Sequence, residues 1–173
     1  MSKDRPKRNG LEQPEQVYPA ALRYLARREY APAELRQRLL RRGADPEAVE
    51  ETLARLQEAG WLSEERFALS RVRLRRELSG RGRAAVRAEL RALGVDEAVS
   101  QAALAEEYGE EEEAALAEQL AAKALAGLAE LEPPDRAKKI HSLQRRLLAR
   151  GFAPRLVLEV TEKYGAAEDP EAL

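Results

Sequence analysis

Residues 32–49 read PAELRQRLLRRGADPEAV. Pro32 stands where a helix can open, because the first helical residue has no use for its N–H. Leu35 and Leu39 are four apart and lay one apolar stripe along that helix. Gly43 can turn left-handed and end it. Asp45-Pro46-Glu47 then starts a further helix, with a carboxylate to accept a first-turn N–H, a proline with its φ already set, and an acid at the positive end of the dipole. Val49, Leu53 and Leu56 carry that helix inward, and Gly60 closes it.

The same pattern returns twice. Gly94 and Gly151 each follow a leucine by four residues (Leu90, Leu147), as Gly43 follows Leu39. Four residues earlier again stand Val86 and Leu143, matching Leu35. After the glycine, Val99 and Leu156 fall at one offset, with Val49 one residue further along. Leu at helical spacing recurs by chance in any Leu-rich chain, but only ten glycines exist and three take this role. The spacing therefore predicts nine helices in three groups of three, an all-α tandem array of helix-turn-helix-like repeats forming an elongated curved rod. The boundaries expected are a flexible basic arm at 1–17, repeats at 18–62, 63–109 and 110–165, and an acidic tail at 166–173. The first helix is expected from Pro19. Glu110 to Leu128 reads as one Ala/Leu helix, stopped by Pro133-Pro134, with Asp135 capping the next. Trp61, Leu62 and Phe67 are expected to pack between repeats.

Composition agrees. Of 173 residues, 35% are charged and 5% aromatic, and helix formers such as Leu, Ala, Arg and Glu dominate. With no Cys and one His, there can be no disulfide, thiolate zinc site, Cys nucleophile or two-His motif. No run reaches the ~18–20 apolar residues a membrane span needs, and Met1 to Gln16 lacks a signal-peptide core, so a soluble cytoplasmic protein is expected. His141 has no partner placed for catalysis, and the many Glu residues sit at helix starts or four residues from Arg. No enzyme, metal or cofactor is expected.

The formal net charge of −1 hides segregation. Arg66 to Arg91 holds nine Arg against Glu77 and Glu89, whereas Asp96 to Glu118 holds nine acids and no Lys or Arg. Arg71, Arg73, Arg75 and Arg76 share one helix; Arg81 and Arg83 flank Gly82 at the entrance to the next, which carries Arg87. A loop and helix N-terminus bearing Arg suit an anion, and phosphate contacts would give salt-dependent, sequence-independent affinity. An acidic protein surface is the other partner such a block could meet. A solvated Arg face paired with the neighbouring acids, or the Arg-rich coding of a GC-rich genome, would leave the same composition. The acidic run Glu106 to Glu113 reads as a solvated linker and helix start, or else as an imitation of phosphate charge or a shield for the Arg face. Sequence-specific DNA reading is disfavoured, since two of the three third helices open with acids.

The run Arg27-Arg28-Glu29-Tyr30, with Glu34-Leu35, Leu39 and Gly43, resembles the first repeat of the bacterial RecX regulatory proteins. Gly60-Trp61-Leu62-Ser63-Glu64-Glu65-Arg66-Phe67-Ala68 is similar to that family's junction between repeats one and two, Gly80-Arg81-Gly82 with Val86, Leu90 and Gly94 to its second repeat, and Arg150-Gly151-Phe152 to the close of its third. The likeness spans roughly residues 18–165 and lies in the order of the pieces. Ser63-Glu64-Glu65 departs from it where paired Asp residues are common, a change that keeps a helix cap.

The resemblance implies a curved tandem-repeat fold. It also implies a regulator that lies in the groove of the RecA–DNA filament and suppresses strand exchange, ATP hydrolysis and co-protease activity; no sustained heptad pattern demands a dimer, so a monomer is expected. Its partners would be the RecA filament and single-stranded or duplex DNA, met mostly through the backbone. The residues expected to make contact are Arg71, Arg73, Arg75, Arg76, Arg81, Arg83 and Arg87, with Arg27 and Arg28 from repeat one. Replacing Arg75, Arg76 and Arg81 is expected to leave the chain folded. A DNA-binding protein acting without RecA, and a helical scaffold joining other proteins, are the other functions considered.

Overall fold

The computed structural model describes residues 13–165, which form nine helices: α1 (Val17–Leu25), α2 (Pro32–Arg41), α3 (Pro46–Glu58), α4 (Glu64–Ser79), α5 (Arg83–Ala92), α6 (Glu97–Glu107), α7 (Glu110–Ala124), α8 (Pro133–Ala149) and α9 (Pro154–Gly165). Short 3-10 turns cover Pro14–Gln16 and Leu128–Glu130. Among the described residues there is no strand. Most of the basic arm (1–12) and the acidic tail (166–173) lie outside the described residues.

One cap is built three times. Gly43, Gly94 and Gly151 have φ of 81°, 78° and 84°. Their N–H groups donate to Leu40, Arg91 and Leu148 carbonyls at 2.9, 3.0 and 2.9 Å. The next N–H, of Ala44, Val95 and Phe152, reaches back to Leu39, Leu90 and Leu147 at 3.2, 3.1 and 3.2 Å. These bonds satisfy carbonyls that the helix end would leave bare. Ala44, Val95 and Phe152 are all buried beside the leucines that accept from them. Every third helix then begins three residues after the glycine, and the buried position is the sixth after it in each case: Val49, Ser100 and Val157. Val99 and Leu156, matched by the sequence comparison, are only half-buried. The repeat is thus more regular in three dimensions than its apolar pattern, because Ser100 occupies an apolar slot.

The cap glycines also make joints. A Cβ on Gly94 would stand 2.7 Å from the Ala33 Cβ in α2, and one on Gly151 would stand 2.5 Å from the Cβ and N of Ala85 in α5. The turn between the second and third helices of one repeat therefore rests on the second helix of the repeat before it. At the Gly151 joint, Gly82 donates to the Arg150 carbonyl at 2.9 Å and Ala84 to that of Gly151 at 3.3 Å. A Cβ on Gly82 would fall 2.3 Å from the Gly151 oxygen.

The chain divides into two compact units, one ending at Ser70 with Leu90–Ser100 added, the other made of Arg71–Glu89 and Gln101 onward. The first buries Val17, Ala20 and Ala21 of α1 against Leu35, Leu39, Val49, Leu53, Leu56 and Leu62. The second buries Ala117 and Ala121 of α7 with Leu143, Leu147, Phe152, Val157 and Val160. The helices of the middle repeat contribute to both.

Local signals worked where a side chain caps. Asp45 accepts from the Ala48 N–H at 3.1 Å, and the Ser63 hydroxyl accepts from that of Arg66 at 3.1 Å. Other expectations shift. α1 starts at Val17, which is buried although the sequence reading gave it to the arm; Pro19 sits in the first turn, where it removes no bond. α7 ends at Ala124, because Gly127 turns left-handed at φ 70°. α8 starts with Pro133 as its first residue, so Asp135 lies in the first turn and Glu132 holds the cap position. Trp61 is 60% exposed, not packed between repeats, while Leu62 and Phe67 are buried as expected. The cap after α3 explains this: Trp61 and Leu62 both donate to Leu56, at 2.8 and 3.1 Å, and only Leu62 joins the core.

Two comparisons test this picture by urea unfolding. Gly60 has φ of +73° with open space where a Cβ would go, so Gly60→Ala should cost only the left-handed strain of about 1–2 kcal/mol. Gly151→Ala adds the collision with Ala85 and should cost clearly more; equal losses would mean that the joint contributes nothing. Phe67→Ala should cost ~3–5 kcal/mol, and Trp61→Ala no more than the ~0.5 kcal/mol typical of a surface change.

Candidate nucleic-acid interface

The arginine block is built on α4, the loop after it and α5, and the structure fills it with the chain's own acids. Glu89 of α5 lies at its centre with its side chain 15% exposed. Arg75 reaches it with two nitrogens, Nε at 2.8 Å from Oε2 and Nη2 at 2.7 Å from Oε1. Arg71, one turn earlier on α4, places Nε 2.8 Å from Oε1, and Arg81 adds a longer contact at 3.4 Å. Burial pushes the Glu89 carboxyl upward, but the Arg75 hydrogen bonds and the charges of Arg71, Arg75 and Arg81 outweigh it and hold the group below the usual carboxylate range.

The acidic run joins the same network. Glu107, at the end of α6, takes Arg73 on both carboxylate oxygens, and its carbonyl accepts from Arg76. Arg73 lowers the Glu107 pKa. Glu113 of α7 is buried and accepts the Arg83 N–H, the first of α5, at 2.8 Å. The anion site expected at the entrance to α5 is therefore occupied by a carboxylate of this chain. Burial raises the Glu113 pKa, partly offset by that N–H and by the Arg83 charge. Tyr108 is fully buried and donates to the Arg81 carbonyl at 3.0 Å. Glu107 and Glu113 of the run thus meet the Arg segment, while Glu106, Glu111 and Glu112 are exposed, the last two in the first turn of α7.

The predicted site residues fall into two classes. Arg71, Arg75 and Arg76 are half-buried, with their side chains engaged by Glu89 or Glu107, and Arg83 is half-buried, with its backbone N–H on Glu113 and its side chain 3.7 Å from Glu110. Arg73, Arg81 and Arg87 are exposed. In the first unit Arg27 is exposed after α1, while Arg28 lies 3.6 Å over the Tyr30 ring and grips both Glu34 oxygens, at 2.6 and 3.0 Å.

Sequence reasoning missed Arg38 and Arg42. Arg38 lies over both Tyr24 and Tyr30, 5.6 and 5.5 Å from the ring centres, and Arg42 reaches the Tyr24 hydroxyl at 3.5 Å. The signal was present as Arg at positions four apart, one on α2 and one just past its end, next to two tyrosines of α1 and its exit turn. Any solvated helix face shows such a spacing, so it carries no weight until the tyrosines are placed beside it.

A cavity of about 640 Å³ beside α7 and α9 is lined by Arg83, Arg155, Glu110 and Glu159, a mixed-sign lining with no nucleophile-and-base grouping. Among the described residues no three His, Cys, Asp or Glu side chains are grouped to hold a metal. His141 is exposed on α8. No helix of the described residues is long and apolar enough to cross a membrane.

Comparison with known proteins gives two family matches: the first three-helix domain of RecX over residues 18–56 and the second over residues 63–104. The regulatory protein RecX of Pseudomonas entomophila is 37% identical over 148 residues, covering 85% of this chain and 90% of its own. That of Amycolatopsis mediterranei is 35% identical over 143 residues, covering 82% and 81%. The crystal structure of RecX from Lactobacillus salivarius superposes with a TM-score of 0.76 at 20% identity, over 88% of this chain and 97% of that one, which bears on the fold alone.

The Glu89 network has a pH signature. A carboxylate held below its ordinary range stabilises the fold above that range, and the contribution is lost as pH falls through the lowered value. Glu89→Gln should therefore cost about 1.5–3 kcal/mol at pH 7, as for a hydrogen bond to a charged partner. The gap between variant and parent should narrow in thermal melts taken at acid pH; a gap independent of pH would show that the charge on Glu89 does not matter.

Proposed function

This chain belongs to the RecX family of regulatory proteins, and from that premise we propose that it binds the RecA–DNA nucleoprotein filament and restrains RecA's strand exchange, ATP hydrolysis and co-protease activity. What carries the reading is likeness along nearly the whole chain to a regulatory protein RecX, 85% of this chain against 90% of the relative, rather than one motif. A regulator of this kind needs surfaces and no catalytic centre. It would act in DNA repair, recombination and the SOS response, as a cytoplasmic monomer without cofactor, through three repeats at 18–62, 63–109 and 110–165.

Within the arginine set we assign contact with the filament to Arg27, Arg73, Arg81 and Arg87, the exposed members apart from Arg28, which is held on the Tyr30 ring. Arg28, Arg71, Arg75 and Arg76 act one step back, their side chains engaging Glu34, Glu89 and the Glu107 carbonyl, while Arg83 meets Glu113 through its backbone N–H. Arg suits this double duty, since its planar fork can pair a carboxylate with one edge and leave N–H groups for another acceptor.

The test is RecA's ATPase on single-stranded DNA with increasing amounts of the chain. Inhibition should be nearly complete at saturation and weaken in the Arg27→Ala/Arg87→Ala variant, whose melting temperature should stay near the parent's. Parallel titrations of bare single-stranded DNA, bare RecA and the assembled filament should favour the filament. ATPase unchanged at saturating chain would overturn the proposal. Equal affinity for bare DNA and filament would favour a DNA-binding protein acting without RecA.

A further inference from the structure

The strongest unassigned feature lies in the first unit, where α2 ends against the tyrosines of α1 and its exit turn. Tyr24 and Tyr30 stand edge to face, with ring centres 5.8 Å apart and planes at 61°. Arg38 is near-equidistant from both rings, and Arg42 approaches the Tyr24 hydroxyl. Arg28 covers the face of Tyr30. Two guanidinium groups, of Arg28 and Arg38, thus lie over the rings and a third, of Arg42, meets the Tyr24 hydroxyl, with Glu34 as the carboxylate beside them. Glu34 spends both oxygens on Arg28 and stands 3.9 Å from Arg38. Arg42 pairs with no carboxylate among the described residues.

The contrast with the arginine block is chemical. There, Glu89, Glu107 and Glu113 meet the guanidinium and backbone N–H donors at hydrogen-bond distance. Here positive charge outnumbers negative, and two forks keep free N–H edges. Aromatic rings under a guanidinium fix its plane while leaving those edges outward, so less side-chain freedom is given up when an acceptor arrives. Basic residues near the C-terminal end of a helix also suit its dipole. That role asks only for charge near the last carbonyls and does not explain why Arg38 folds back over two rings.

We propose that Arg38 and Arg42, held by Tyr24 and Tyr30, form a phosphodiester-binding site for the backbone of single-stranded nucleic acid. Both rings are largely covered, Tyr30 almost wholly, so they hold the forks and are not available to stack on bases. The site would take phosphates without regard to sequence. The inference rests on the reading of the chain as a partner of a nucleoprotein filament, and it locates part of the DNA contact in the first repeat.

The experiment measures binding of the full chain to a fluorescein-labelled oligo-dT, by anisotropy, over a series of salt concentrations. Arg38→Ala/Arg42→Ala should weaken binding on the order of tenfold at low salt and flatten the plot of log K against log salt by roughly 1.4, about 0.7 for each single-strand phosphate that the protein no longer neutralises. Arg38→Lys/Arg42→Lys should keep most of the slope and part of the affinity, since charge remains and the fork is gone. Thermal melts of the variants should match the parent, separating a binding defect from a folding defect. Unchanged affinity and slope in the Ala variant overturn the site, as does a parent chain that fails to bind the oligonucleotide at low salt. If the Ala variant binds the oligonucleotide normally but no longer inhibits RecA's ATPase, the face meets protein and the phosphate assignment is wrong, while filament regulation stands.

Discussion

A left-handed glycine at the end of a second helix is the constraint on which this structure turns. At Gly94 and Gly151 one residue does two things that an L side chain would prevent. It takes a positive φ that lets two N–H groups close the helix, and it lets the turn sit against an alanine of the preceding repeat. The alanines complete the arrangement, because Ala33 and Ala85 are small enough for that contact. Close packing leaves no slack at such a point, and an added methyl group must move backbone rather than a side-chain tip. Tandem repeats gain their stability from neighbour contacts, so the joints matter as much as the apolar stripes.

The second constraint is electrostatic. A chain with 30 basic and 31 acidic side chains could keep them in opposed patches or pair them. It does more of the second than a linear reading suggests. Glu89 lies within the basic run, fourteen residues from Arg75, while Glu107 and Glu113 come from the acidic run, thirty or more residues from Arg73 and Arg83. The pairs that tie α4 to α5 are partly shielded from water and so are screened less by salt than exposed pairs. Where acids are scarce, as around Arg38 and Arg42, positive charge remains for a partner.

Much of the fold was legible because its signals are local. Pro32, Asp45-Pro46, Ser63 and the three cap glycines each act within a few residues of themselves, and the structure uses all of them. The family resemblance was legible through the order of such pieces. What did not show in the sequence depends on distant residues. Trp61 reads as core by its size, yet the turn after α3 sends Leu62 inward instead. Ser100 takes an apolar slot that no hydropathy pattern would assign it. The arginine block reads as a free anion site until α6 and α7 bring Glu107 and Glu113 onto it. The Tyr24–Tyr30 shelf under Arg38 needs the turn between α1 and α2 to bring its rings together.

The proposal that joins the family assignment, the paired arginine block and the open forks of the first repeat is that the chain acts by lying against a nucleoprotein filament. Amide hydrogen exchange of the intact chain, alone and with RecA assembled on single-stranded DNA, tests it most directly. Peptides covering the C-terminal half of α2, around Arg38 and Arg42, should exchange more slowly when the filament is present and return to their free rates when the salt concentration is raised. Exchange identical with and without the filament, in every segment of the chain, would contradict the account.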